Sequence, residues 1–105
     1  MAKDIELLKT ISSDIEFILK VTENMTLEQF EEDELTASAV CFKFVQISEN
    51  ASKISQEFMI GHNNIPWQKI KGMRNRIVHD YGNVSLSIVY ATIQNDLPKI
   101  LELIK

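Results

Sequence analysis

The side chains best suited to chemistry lie close together in the stretch MRNRIVHDYG, which contains Arg74, His79 and Tyr81. Histidine can accept or donate a proton near neutral pH, because the pKa of its imidazole lies close to neutrality. Arginine can bind two phosphate oxygens at once through its planar guanidinium group. An arginine and a histidine within one short segment therefore indicate acid-base chemistry on a phosphate group.

The charge of the chain is unevenly distributed. Residues 65–79, IPWQKIKGMRNRIVH, contain no acid and four cations, which are Lys69, Lys71, Arg74 and Arg76. All 15 acids lie elsewhere, and the net charge is -4. This acidity argues against a protein that coats nucleic acid, because lysine and arginine supply most non-specific affinity. A basic segment on an acidic protein indicates a local anion site, although a solvated helix face could have the same composition.

Each candidate residue also has an ordinary structural role open to it. His79, near the end of a predicted helix, could be a cation that interacts with the helix dipole. Tyr81 could bury its ring in the core while its hydroxyl stays in water. A metal site is not expected, because Cys41 is the single cysteine and His62 has no acid or cysteine beside it.

These residues must be positioned by helices. Three glycines and two prolines in 105 residues are too few for the turns of a β-sandwich, and the length suits one domain over residues 1–105. Apolar spacing predicts five helices, at about 4–22, a short one after 26, 33–60, 67–80 and 85–105, the last kinked by Pro98. No apolar run approaches the ~18 residues of a membrane span, so we expect a cytoplasmic protein.

The predicted third helix is apolar on more than one side. One seam is formed by apolar residues that are alternately four and three positions apart. It contains Val40 and Phe44 and continues toward residue 60. A second apolar set occupies a neighbouring face and comprises Leu35, Phe42 and Val45. Because one seam is enough for an internal core, the second predicts a homodimer that forms through the long helices.

The spacing of Arg74 and His79 also favours a dimer. Residues five apart on an α-helix point about 140° away from each other, because each residue turns the helix by about 100°. Gly72 lies in the same predicted helix, and a glycine inside a helix often marks a close approach between backbones. Pairing of two chains there would bring both copies of Arg74 and His79 around one cleft.

The stretch IPWQKIKGMRNRIVHDYGNV, followed by SIVYATIQNDLP, resembles the HepT-like family of the HEPN superfamily. In that family a W-x-x-I-x-G-M-R-N segment leads into an R-x4-H motif, and a D-L-P segment closes the last helix. The upstream segments LEQFEED and AVCFKFVQISENASKIS are also similar to the family. One departure is Ser48-Glu49, where relatives commonly have Gly-Glu in the middle of the long helix.

The resemblance implies an all-α, up-and-down bundle of about five helices and the activity of a metal-independent endoribonuclease toxin without a cofactor. In such a toxin His79 promotes attack of the ribose 2′-hydroxyl on the adjacent phosphate, and Arg74 stabilises the charged transition state. Asn75, Arg76 and Lys71 would bind or position the phosphates of the RNA.

The resemblance also implies a regulatory partner. In the family, a nucleotidyltransferase antitoxin attaches adenosine monophosphate to the tyrosine of the R-x4-H-x-Y motif, which is Tyr81 here. An alternative is a non-catalytic subunit of a two-component nucleotidyltransferase, which would bind substrate or nucleotide through the same basic segment. A third interpretation is a structural dimer in which Arg74 and Arg76 only form salt bridges.

Overall fold

The computed structural model describes residues 2–77 and 84–105, with only the backbone of Arg76. Over these residues the chain is entirely helical apart from its turns, which confirms the predicted all-α class. The helices are α1 (Ala2–Thr22), α2 (Leu27–Glu32), α3 (Glu34–Ser52), α4 (Gln56–Gly61), α5 (Trp67–Lys71), α6 (Met73–Ile77), α7 (Leu86–Asn95) and α8 (Leu97–Ile104). None of the helices within the described ranges is long and apolar enough to span a membrane.

The short second helix begins at a capping box formed by Thr26 and Gln29. The Thr26 hydroxyl accepts a hydrogen bond from the Gln29 amide at 3.1 Å, and the Gln29 side-chain oxygen accepts one from the Thr26 amide at 2.9 Å. The two bonds satisfy donors that the first turn of a helix leaves unpaired. Asp33 then ends α2 and caps α3 by accepting from the Thr36 amide at 3.0 Å. Two helices therefore meet at one residue.

The core is built around the packing of α1 against α3. Ile11 and Ile15 of α1 and Phe44 and Ile47 of α3 are almost completely buried. The Asp14 carboxylate of α1 accepts hydrogen bonds across the same interface, from the Lys43 ammonium at 3.2 Å and from the Gln46 side-chain amide at 3.1 Å. A buried carboxylate is tolerated when such partners replace its water. The pair of helices forms a rigid base for the rest of the bundle.

The prediction of one continuous helix over residues 33–60 is wrong, because the helix is interrupted between α3 and α4. Ser55 is the N-cap of α4, and its hydroxyl accepts from the Phe58 amide at 3.2 Å. Asp4 of α1 accepts from both the amide and the hydroxyl of Ser55, each at 2.8 Å. Ile54 and Phe58 remain buried on either side of the break, so the apolar spacing continues through it.

This contact predicts a pH dependence of stability. Hydrogen bonds from the Ser55 amide and then from its hydroxyl lower the pKa of Asp4 below the usual aspartate value. A lowered folded-state pKa contributes stability above the unfolded-state pKa and loses it as the pH falls through the folded-state value. We expect Asp4→Asn to lower the melting temperature at pH about 7, and by less at pH about 3, because the contribution of the wild-type carboxylate decreases once the pH falls below the unfolded-state pKa.

Glu102→Gln, a change at an exposed carboxylate of α8, provides the control. Thermal unfolding of the three proteins at both pH values makes the comparison. An equal loss for Asp4→Asn at both pH values would show that the charge of Asp4 does not contribute to the cap.

The predicted fourth helix is also interrupted, at Gly72. This residue is the C-cap of α5, with φ -80° and ψ -3°, and its carbonyl accepts from the Asn75 amide at 3.0 Å. A β-carbon at Gly72 would lie 3.2 Å from the carbonyl oxygen of Gln68 in the preceding turn. The prediction of one continuous helix through Gly72 is therefore wrong, and the expected close approach of a second chain there stays a prediction. Residues 78–80 of the predicted helix lie outside the described residues.

The predicted fifth helix is divided as well. α7 ends at Asn95 and α8 begins at Leu97, with Pro98 in its first turn. Proline is favoured there because the first turn has amides without intrahelical acceptors. The expected kink at Pro98 is thus an interruption of the helix at Asp96, two residues before the proline. Val89 and Ile93 of α7 and Ile100 of α8 are buried against the core.

Candidate functional site

The candidate site residues that the structure describes lie on α5 and α6. Met73 and Ile77 bury one face of α6 in the core, and this burial leaves Arg74 and Asn75 exposed on the other face. Lys71, at the end of α5, is half-buried. The structure therefore places these three side chains on two consecutive short helices. His79 and Tyr81 lie outside the described residues, as does the side chain of Arg76.

Arg74 is available to bind a ligand. Within residues 2–77 and 84–105, its guanidinium makes no hydrogen bond or ion pair with a described side chain. An exposed arginine without a carboxylate partner keeps its five donors for an external anion. The described residues therefore provide no carboxylate partner for the interpretation in which Arg74 only forms salt bridges.

Lys69 has a different role from the other cations of the basic segment. Its ammonium lies 3.2 Å from a carboxylate oxygen of Asp96, the residue between α7 and α8. The bridge connects α5 to the C-terminal helices and offsets the charge of Lys69. Among the described side chains of α5 and α6, the positive charge that remains for a ligand therefore comes from Lys71 and Arg74.

Trp67 belongs to the core. It is 7% exposed, and its indole nitrogen donates a hydrogen bond to the His62 carbonyl at 3.0 Å. The His62 ring stacks on Phe58 with the ring centres 4.0 Å apart. These contacts fix the loop between α4 and α5, and through it the start of the basic segment.

Ser48 connects the long helix α3 to the backbone just before Arg74. The Ser48 side chain is buried, and its hydroxyl donates a hydrogen bond to the carbonyl of Lys71. In a continuous helix that carbonyl would accept from the Asn75 amide, which bonds instead to Gly72. Ser48 thus satisfies an acceptor that the break at Gly72 exposes. Sequence reasoning noted Ser48 only as a departure from the family and missed this contact.

Removing this hydroxyl should destabilise the protein. Ser48→Ala leaves the partly buried Lys71 carbonyl without this donor, and an unsatisfied buried polar group costs about 1–3 kcal/mol. Chemical denaturation measures the loss in the free energy of unfolding. Ser38→Ala, at an exposed position of the same helix, should change stability by less than about 0.5 kcal/mol. Equal stability of the two variants would show that the Ser48 hydroxyl does not support the turn.

Comparison with known proteins identifies the family. The sequence model described as ribonuclease HepT-like matches residues 11–105. The chain belongs to the HepT-like ribonuclease family. A similar protein of Caldanaerobacter subterraneus subsp. tengcongensis, named "Putative RNase", is 28% identical over 98 residues, which cover 93% of this chain and 88% of the relative. A Thermococcus cleftensis protein named "Probable ribonuclease HepT" is 30% identical over 93 residues, covering 89% and 84%.

No solved structure matches the chain. Membership in the HepT-like family confirms the resemblance seen in the sequence, and it assigns the chain to a class of enzymes that act on RNA. The described side chains of the basic segment are consistent with an anionic substrate, because Lys71 and Arg74 are accessible at the surface. The basic segment is therefore the candidate ribonuclease site of this member of the family.

Proposed function

We propose that this HepT-like chain is a metal-independent endoribonuclease whose reaction depends on Arg74 and His79. The observation that supports it most directly is Arg74 itself, which is exposed and lacks an ion-pair partner among the described residues. Its helix is anchored by the buried side chains Met73 and Ile77. The anchored backbone limits where the guanidinium can lie, and donors positioned in advance stabilise the charge that develops in a transition state.

In the proposed reaction His79 accepts the proton of a ribose 2′-hydroxyl, and the oxygen attacks the adjacent phosphorus. The bond from phosphorus to the 5′-oxygen breaks, and that oxygen takes up a proton from a second acid. The products are a 2′,3′-cyclic phosphate and a 5′-hydroxyl. Arg74 binds the non-bridging oxygens as their charge grows, and Lys71, Asn75 and Arg76 bind neighbouring phosphates.

We propose that the enzyme acts as a homodimer. Leu35 is 83% exposed and Phe42 is 64% exposed on α3, while Val45 beside them is partly buried. Two large apolar side chains on one exposed helix face are typical of a surface that another chain covers. A second copy would also supply the second acid that the reaction needs. Light scattering of the purified chain, whose monomer mass is 12.1 kDa, tests this state.

We also propose that the enzyme is a toxin paired with a nucleotidyltransferase antitoxin that adenylylates Tyr81. An adenylyl group adds a negative phosphate two residues from His79, where it would repel the phosphates of RNA. The intact mass of the chain after co-expression with the neighbouring gene should increase by one adenylyl group. An unchanged mass, together with unchanged toxicity to the host, would contradict this regulation.

The activity itself is tested with purified, unmodified chain and an unstructured RNA in the presence of a chelator. Cleavage that is as fast with the chelator as without it is expected. Cleavage that stops on chelation and resumes with added divalent cation would contradict metal independence. A chain that binds nucleotide but cleaves no RNA would favour the alternative of a substrate-binding subunit.

A further inference from the structure

A groove of about 830 Å³ lies between α4, the loop over residues 62–66 and α5. Its floor includes Ile54, Ile65 and Trp67, which are nearly completely buried, and Ile60 stands on its edge with 70% of its surface exposed. The volume falls in the range of grooves that bind small organic groups, about 300–1,000 Å³. A flat apolar group could therefore be accommodated on this floor.

The edge of the groove is polar and carries no acid. The side-chain amides of Gln56, Asn63 and Gln68 lie along it and are exposed. Each amide offers both a donor and an acceptor, which is the pattern on the edge of a nucleobase. Among the described lining residues there is neither aspartate nor glutamate, although the chain has 15 acids and 11 cations. The groove is thus complementary to an anion with an apolar, hydrogen-bonding body.

The groove is continuous with the proposed catalytic site. Lys71 lines the groove and precedes Arg74 by three residues. Lys71 is the last residue of α5 and Arg74 lies in the first turn of α6, so only the turn at Gly72 separates their two helices. Lys71, unlike Lys69, makes no ion pair with any residue that the structure describes. A strand of RNA can therefore extend from Arg74 past Lys71 into the groove.

We propose that this groove is a binding subsite for one or two unpaired nucleotides beyond the two that flank the cleaved phosphate. The base packs against Ile60 and the small exposed parts of Trp67 and Ile65, the three amides bond to its edge, and Lys71 contacts the connecting phosphate. Unpaired bases are the part of RNA that proteins recognise by such apolar contacts and edge bonds. The inference rests on the proposed ribonuclease function, and it adds a site that selects single-stranded substrates longer than the cleaved linkage.

The test compares two substrates and two groove variants. Wild type, Ile60→Asp and Asn63→Ala are assayed on a diribonucleotide, which reaches only the cleavage site, and on a decaribonucleotide. Affinity for a 2′-O-methyl decamer, which cannot be cleaved, is measured in parallel by fluorescence anisotropy. Leu103→Asp adds the same charge at an exposed position of α8 and is the matched control.

We expect each groove variant to weaken binding of the methylated decamer about tenfold and to raise KM for the cleavable decamer similarly. The value of kcat and the cleavage of the diribonucleotide should match those of wild type. Leu103→Asp should behave as wild type on both substrates. Asn63→Ala keeps the test informative if Ile60→Asp fails to fold, which circular dichroism reports.

The outcomes separate the two proposals. Unchanged decamer binding and KM in the variants, with wild type active on both substrates, would overturn the groove inference and leave the ribonuclease function standing. Tight decamer binding that the variants weaken, without cleavage of either substrate, would overturn the function and support the groove. Conversion of a wild-type dimer to a monomer by Ile60→Asp would show that the groove is an interface between copies and would overturn the inference.

Discussion

Replacing His79 with alanine should lower the rate of RNA cleavage by about 100-fold or more. The expected loss follows from the proposed role of the imidazole, since removal of a positioned general base leaves the 2′-hydroxyl to be deprotonated by water. The effect should appear in kcat, because phosphate contacts from Arg74 and Lys71 remain in the variant. Initial rates on a fluorescent oligoribonucleotide, measured with wild type and variant at equal concentration, give the ratio.

The matched control for this prediction is His62→Ala. The His62 ring stacks on Phe58, and its Nδ1 lies 2.9 Å from the Phe58 carbonyl oxygen, so it is engaged within its own turn of the chain. We expect this variant to lose stability while its cleavage rate at a temperature where it is folded stays within about threefold of wild type. A rate for His79→Ala within the same range would remove His79 from the reaction.

Replacing Arg74 with alanine should reduce kcat by about 100- to 1,000-fold, the usual cost of one group that stabilises transition-state charge. Arg74→Lys should restore part of the rate, because an ammonium keeps the charge but cannot bind two oxygens at once. Because Arg74 is exposed and has no partner among the described residues, neither change should alter the melting temperature appreciably. Single-turnover cleavage at saturating enzyme isolates the chemical step.

Lys99→Ala removes one exposed positive charge from α8 and is the control for Arg74→Ala. It separates a specific role of the guanidinium from a general effect of charge on RNA binding, which should be similar for any surface cation. A rate equally low in both variants would point to electrostatic attraction alone. A large fall in melting temperature for Arg74→Ala would instead support the interpretation of Arg74 as a structural cation.

The helical class, the capping box at Thr26 and the burial of Trp67 were predictable because each depends on neighbouring residues. The interruptions of the longer predicted helices could not be predicted from the sequence. Ser55 caps α4 together with Asp4, which is 51 residues away, and a contact between distant residues leaves no periodic pattern in the sequence. The apolar residues keep their helical spacing through the interruption between α3 and α4, so this spacing alone predicts one long helix.

The types of residue in the candidate site were predictable, but their partners were not. The sequence shows four cations between residues 65 and 79, yet only the structure pairs Lys69 with Asp96 and leaves Arg74 unpaired within the described residues. The bond from Ser48 to the Lys71 carbonyl depends on a break in the backbone that the sequence pattern does not reveal. The roles of His79 and Tyr81 remain predictions from the sequence and the family.

The measurement that tests the central claim most directly uses a DNA oligonucleotide with a single ribonucleotide, incubated with the unmodified chain and a chelator. Attack by the 2′-hydroxyl can occur only at that ribose, so we predict one cut on its 3′ side, with a 2′,3′-cyclic phosphate on one product and a 5′-hydroxyl on the other. Mass spectrometry distinguishes these ends. Products with a 3′-hydroxyl and a 5′-phosphate, or cleavage between deoxynucleotides, would contradict the proposed reaction.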